Sequence, residues 1–333
     1  MTAIEEERTA ATGYRRQGKQ EYYDTLRTLS EASVHQHFDA FEDIDWDDPE
    51  FRVDPTDERW ILGPEDNLGA HPWYRSLPKQ RQIEIGIYRW ALICKVGLQF
   101  EQLLISGIMN HALTLPNGNP EFRYSTHEAT EECHHTQMFQ EFVNRTGLDV
   151  QGAPTAFRKA IPLLATVAGW APAFFWMGVL AGEEPIDHLQ KQLLRQNTSI
   201  HPMLERIISI HVAEEARHIG FAHTYLEQHA PDLGRVSKLL LGVLTPLGMR
   251  ALGDVIMVPS KRAREDMGIP DEVAREIWWD SPRSQQFLRD LFADVRMLCD
   301  DLGIRGPVPR LFWRLAGIEG RSARFRSQPA TAR

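Results

Sequence analysis

The chain has 333 residues, 42% hydrophobic and 25% charged, with a net charge of −9. That is enough apolar material for one large core and too much for wholesale disorder. The acidic balance works against nucleic-acid binding. Three cysteines, Cys94, Cys133 and Cys299, with no CxxC pair exclude a disulfide scaffold and point to a reducing, cytoplasmic setting.

In chain order, the start is acidic through Glu5, Glu6 and Glu7 and lacks the apolar run of a secretory signal. Residues 1 to about 40 read as polar helix. Residues 41–80 read as irregular, because Pro49, Pro55, Pro64 and Pro78 break any period. Trp46, Trp60 and Trp73 in that stretch are expected to pack over the outside of a core. Long helices are predicted over 80–113 and 121–146, separated by a turn around Asn117 and Gly118. Further helices are expected over 155–168, 172–196, 200–229, 232–258, 271–278 and 284–302. A polar break at Asn197, Thr198 and Ser199 precedes the helix at 200, with Ser199 as its candidate cap. No period-2 alternation is long enough for a sheet, so the chain reads as all-α.

The stretch 161–182 carries no charge, which by length alone could span a bilayer. Pro162, Gly169, Pro172 and the following Glu183 and Glu184 favour a buried bundle helix, and no membrane span is expected. Seven arginines from Arg305 to Arg333 form a basic tail that is expected to dock on the acidic body rather than bind nucleic acid. Three segments follow: 1–78, an N-terminal helix and irregular covering segment; 79–230, the core; 231–333, C-terminal helices and basic tail.

Chemistry concentrates in the core. Glu132 and His135 form one Glu-x-x-His pair, and Glu215 and His218 form another. Residues i and i+3 share a helix face, so each pair can reach one metal ion. Each pair follows a carboxylate on a preceding apolar helix by about thirty residues. Two metals in a four-helix bundle require this arrangement: one Glu from each of two helices and a Glu-x-x-His from each of the others. Glu101 lies on an apolar stripe with Leu98, Leu104 and Ile108. Glu132 and His135 share a face with Phe139, Phe142 and Val143. The competing pair Glu131 and His134 continues into Glu141 and Arg145, which reads as a solvated face. Ile207, Ile208, His211, Glu215, His218 and Ala222 form one stripe, from which Glu214 and Arg217 fall away. On the third helix, phase favours Glu183, which shares a face with Val179, Leu180 and Ile186. Glu184 shares a face with His188, Lys191 and Arg195, which reads as exposed. Yet Glu101 precedes Glu132 by the same interval as Glu184 precedes Glu215, so both remain candidates. Buried carboxylates in such number are tolerable only with compensating cations. Oxygen and imidazole donors suit iron or manganese, and zinc less specifically.

The order Glu, Glu-x-x-His, Glu, Glu-x-x-His resembles the ferritin-like di-iron carboxylate proteins. His211, one turn before Glu215, makes His-x-x-x-Glu-x-x-His, which resembles the arylamine N-oxygenases such as p-aminobenzoate N-oxygenase. The likeness covers roughly residues 80–230, including Phe100 to Leu103, Glu132 to Thr136 and Ile200 to Met203. It implies a ferritin-like four-helix bundle with flanking helices. It also implies an oxidoreductase, a monooxygenase holding two iron ions, with Mn/Fe an alternative filling. Its ligands would be Glu101, Glu132, His135, Glu183 or Glu184, His211, Glu215 and His218. Such an enzyme takes O₂, electrons from an external donor and a small-molecule substrate, an arylamine by this likeness. The alternative is a di-iron hydroxylase or oxidase acting on C–H bonds of a lipid-like or aromatic substrate. A homodimer is compatible with a bundle of this class, although no residue pattern requires one.

Overall fold

The structure is a computed structural model that describes residues 16–195, 200–324 and 326. The acidic start, the polar break at 197–199 with its candidate cap Ser199, and Arg333 lie outside the described residues. Among the described residues there is no strand, and the fold is the all-α bundle expected.

Four helices form the bundle: α4 (Lys79–Ala112), α5 (Pro120–Thr146), α7 (Pro172–Arg195) and α8 (Pro202–His229). Helices α4 and α5 pack as one pair and α7 and α8 as another, and the pairs face each other through α5 with α8 and α4 with α7. Helix α5 begins at Pro120 under an Asn119 cap whose side chain accepts from the Glu121 amide, and it ends at Gly147 in the left-handed region.

The flanks add a second layer. Helix α1 (Lys19–His35) lies over α5 and α8. Residues 36–78 follow as short turns, with small helices α2 (Asn67–Ala70) and α3 (Pro72–Arg75). Trp60 in this segment is not peripheral. It is fully buried, stacked on His201 at 4.0 Å and set edge-on to Phe142. Its carbonyl lies so close to α4 that a Cβ on Gly86 would meet it at 1.8 Å, so this approach requires glycine.

The uncharged stretch 161–182 is not one buried helix. It is divided between α6 (Thr155–Trp170) and α7. Pro172 disfavours helical geometry at Ala171, which adopts φ −140° and ψ 60°. Helix α6 buries only Ala165 and Ala168 and leaves Leu163 and Trp170 exposed, so only the α7 half is core. Two other helical stretches, Lys79–Ala112 and Arg235–Asp266, are long and apolar enough to cross a membrane by composition; the first is bundle helix α4.

At the C-terminal end, α9 (Arg235–Met257) packs on α7, followed by α10 (Lys261–Asp266) and α11 (Asp271–Arg275). The helix expected over 284–302 is two helices, α12 (Pro282–Leu291) and α13 (Ala293–Asp301), broken at Phe292. Helix α14 (Pro307–Leu315) lies against α9. In the basic tail Arg305 is buried, and it donates within the C-terminal segment itself, to Asp300, Glu319 and the Gly320 carbonyl.

Candidate metal centre

The helical phases that put carboxylates and imidazoles on apolar stripes bring them to one place inside the bundle. Helix α5 contributes Glu132 and His135, and α8 contributes Glu215 and His218, all without solvent exposure. His135 Nδ1 lies 2.9 Å from Glu132 Oε2 and 3.4 Å from Glu215 Oε1. His218 Nδ1 lies 2.7 Å from Glu132 Oε1 and 3.3 Å from Glu215 Oε1. One donor atom from each of these four residues falls within 4.8 Å of all the others. Glu101 of α4, His135 and His211 meet the same criterion. His211 Nε2 stands 3.4 Å from Glu101 and 3.5 Å from Glu215.

Of the two candidates on helix α7, Glu183 lies with Glu101 and His211, and Glu184 does not. Burial, followed by the charges of Glu215, Glu101 and Glu132, pushes the Glu183 carboxyl well above the ordinary range, so it faces the cluster. Glu184 is buried rather than exposed, and it turns away to His223 Nε2 at 2.7 Å. Sequence phase placed it on a solvated face; in the fold that face is covered by α8, which carries His223. Cys133 is exposed and takes no part.

The electrostatics reflect an excess of acid. Burial and the neighbouring Glu132 and Glu215 charges hold Glu101 well above its ordinary pKa. Burial opposes charging of His135, yet Glu132 and its other carboxylate neighbours raise it to about 10. Burial lowers His211 to about 4, so it is a neutral imidazole with a free lone pair. Glu101 Oε2, Glu215 Oε2 and His211 Nδ1 are buried without a hydrogen-bond partner. Four inward carboxylates, orphaned oxygens among them, are costly unless cations compensate them. Carboxylate oxygens and imidazole nitrogens in this mixture fit iron or manganese, so the residues present can hold metal.

A set of residues that periodicity misplaced supports the histidines from outside. Glu214 Oε2 lies 2.8 Å from His135 Nε2, and Glu131 Oε2 lies 2.7 Å from His218 Nε2. Each helix therefore anchors the other helix's histidine through the Glu preceding its own Glu-x-x-His. Arg217 joins the two anchors, 2.9 Å from Glu131 and 3.6 Å from Glu214. Glu131 is thus not on a solvated face. The covering segment closes over it: Arg217 donates to the Gln36 carbonyl, and the Phe38 amide donates to Glu214. The doubled glutamates Glu131-Glu132 and Glu214-Glu215 were the available sequence signal. Glu128, one turn before Glu132, is also fully buried, and neither of its oxygens has a partner.

A pocket opens onto the cluster. Its empty space is about 1180 Å³ including the mouth, and Glu101, Glu183 and His211 form its inner end. Its walls are largely apolar, with Phe100, Phe139, Ile207 and Trp278 among them. Gly97 and Gly182 open the inner part: a Cβ on either would meet the rings of Phe139 or Phe100 at 3.2 and 3.3 Å.

The profile of a protein family described as p-aminobenzoate N-oxygenase AurF matches residues 19–303. The chain is 52% identical over 309 residues to an uncharacterised protein of Mycobacterium bovis and to uncharacterised proteins of two Mycobacterium tuberculosis strains, covering 93% of this chain and 91% of each relative. No solved structure gives a significant match. With 285 of its 333 residues inside the family profile and a buried Glu/His cluster that could hold metal, the chain belongs to the p-aminobenzoate N-oxygenase AurF family of ferritin-like di-iron proteins.

Proposed function

We propose that this chain is a non-haem di-iron oxygenase that uses O₂ to oxidise a small organic substrate, most specifically by N-oxygenation of an arylamine. The observation that carries this reading is the opening of an apolar pocket directly onto Glu101, Glu183 and His211. Substrate bound there sits against the metal ligands, away from water. Electrons come from an external donor, and we place the enzyme in the cytoplasm, where such donors and its three free cysteines are at home.

Glu101, Glu132, His135, Glu183, His211, Glu215 and His218 would hold the metals, and Glu184 would act only through its bond to His223. Two iron ions held by these residues would supply the activation of O₂. The chain's own residues do the rest. Glu131 and Glu214, as acceptors, hold each histidine's Nε2–H and leave Nδ1 free to ligate. Neutral His211 adds a donor without adding charge. The walls of Phe100, Phe139 and Ile207 exclude water and orient a planar substrate.

The test is product analysis. Iron-loaded, chemically reduced protein is given oxygen and a panel of arylamines, and products are read by mass spectrometry. Oxygen on nitrogen supports N-oxygenation. Oxygen on carbon favours the C–H hydroxylase reading, for which the apolar walls also provide. Absence of both oxygen uptake and product contradicts the oxygenase reading altogether. His211→Ala should keep most of the iron but change activity. Wild-type turnover and spectra in that variant would refute its place among the ligands.

A further inference from the structure

The outer end of the same pocket has a chemistry distinct from its walls. On α4 the pocket runs from Glu101 back through Gly97, Cys94 and Trp90 to Arg89. Those twelve steps of helix span roughly 18 Å. The far end is lined by Glu65, Asp66 and Asn67 of the covering segment, and Gln190 of α7 also lines the pocket. Three buried oxygens there have no hydrogen-bond partner: Glu65 Oε2, Asn67 Oδ1 and Gln190 Oε1.

The cation that lines this end is already paired. Arg89 is buried; its Nε donates to Asp66 Oδ2 at 3.3 Å and its Nη2 to the Met257 carbonyl at 3.1 Å. Exposed Arg283, which also acts on Glu65, donates to the Pro64 carbonyl. The Glu65 side chain lies folded across Gly63, where a Cβ would collide with Glu65 Oε1 at 1.9 Å, so glycine there permits this pose. Burial raises the Glu65 carboxyl above its ordinary range, as expected of an acceptor set among apolar walls.

Resting on the oxygenase reading of the inner end, we propose that the substrate is an elongated, largely apolar amine. Its far terminus carries a hydrogen-bond donor, best an ammonium group, received by Glu65 with Asn67 and Gln190. A carboxylate at that end would meet Glu65 and Asp66, and the cation lining the pocket there, Arg89, is already paired with Asp66. This separates the chain from the substrate in its family's description, p-aminobenzoate, whose far terminus is a carboxylate. The inner amine presents nitrogen to the metal ligands, and the outer donor fixes its depth.

The experiment uses the metal-free, full-length protein and calorimetric titration with three probes on one skeleton: para-(aminohexyl)aniline, para-hexylaniline and (para-aminophenyl)hexanoate. The ammonium probe should bind at least about tenfold more tightly than the carboxylate probe and more tightly than the neutral one, as one charge-assisted hydrogen bond allows. Glu65→Gln should cut the ammonium-over-carboxylate ratio to a few-fold and leave affinity for para-hexylaniline unchanged. Gly63→Ala, which displaces the Glu65 side chain without touching its charge, should lower the ratio as well. Equal or tighter binding of the carboxylate probe, an unchanged ratio in Glu65→Gln, or no binding of any probe overturns the proposal. Because no turnover is involved, its failure leaves the oxygenase reading standing. Conversely, an ammonium preference in a protein that yields no oxygenated product would count against the oxygenase reading alone.

Discussion

Glu131 and Glu214 show how much of a candidate metal centre lies outside the residues that would ligate the metal. An ionised carboxylate can only accept hydrogen bonds, so each one holds a proton on the Nε2 that it faces. That fixes the tautomer and points Nδ1 at the cluster. Glu131→Ala removes the acceptor from His218 and strips buried Arg217 of its 2.9 Å partner. We expect iron affinity to fall roughly 10–100-fold, the usual cost of losing such a partner, measured by competition with a chelator. Glu184→Ala, whose partner is His223, should leave iron affinity within a few-fold of wild type. The inward acids were legible in the sequence because a charge on an apolar stripe is conspicuous. Glu131 and Glu214 were not, because the phase of one helix does not show what covers its polar face. Residues 36–38 and Arg217 cover that face in the fold.

Most helices were legible as elements, since proline and glycine bound them: Pro120 and Gly147 bracket α5, and Pro202 opens α8. The division at Ala171 was not, because the apolar run continues unbroken across Pro172 and only backbone sterics separate α6 from α7. How the elements dock can be tested at two points. Gly86→Ala would push a methyl into the Trp60 carbonyl and lift the covering segment from α4. We expect a loss of about 1–3 kcal/mol, typical of overpacking, read from denaturant midpoints. The second point is Glu121, which ties four helices together. It accepts from Tyr22 of α1 at 2.9 Å and His229 of α8 at 3.0 Å, and lies 3.4 Å from His111 of α4. Burial opposes its charge, but these partners hold its pKa down at about 2 from an ordinary 4.5. A depressed carboxylate gives its full stability above the unfolded value and loses it as pH falls through the folded one. The wild type should therefore lose stability, of order 3 kcal/mol from this group, between pH 4.5 and 2. Glu121→Gln should flatten that part of the pH–stability curve, and an unchanged acid limb would count against the assignment.

For the whole molecule, the decisive feature is an acidic interior held by a large apolar frame. Helices α4, α5, α7 and α8 carry the cluster, and α1 with residues 36–78 seals it on the α5–α8 side. Such a centre is under strain from like charges until cations arrive, so metal should act on the fold as well as on chemistry. A ligand present at a hundred times its Kd adds about 2.7 kcal/mol to stability, which predicts a clear rise in melting temperature on loading. The most direct test of the account is anaerobic titration of the metal-free protein with ferrous iron, with bound iron quantified by elemental analysis after gel filtration. The account predicts about two tightly held ions per chain, falling to one or none in Glu132→Ala and Glu215→Ala. A wild-type protein that retains no iron, or variants that retain as much as wild type, would contradict it.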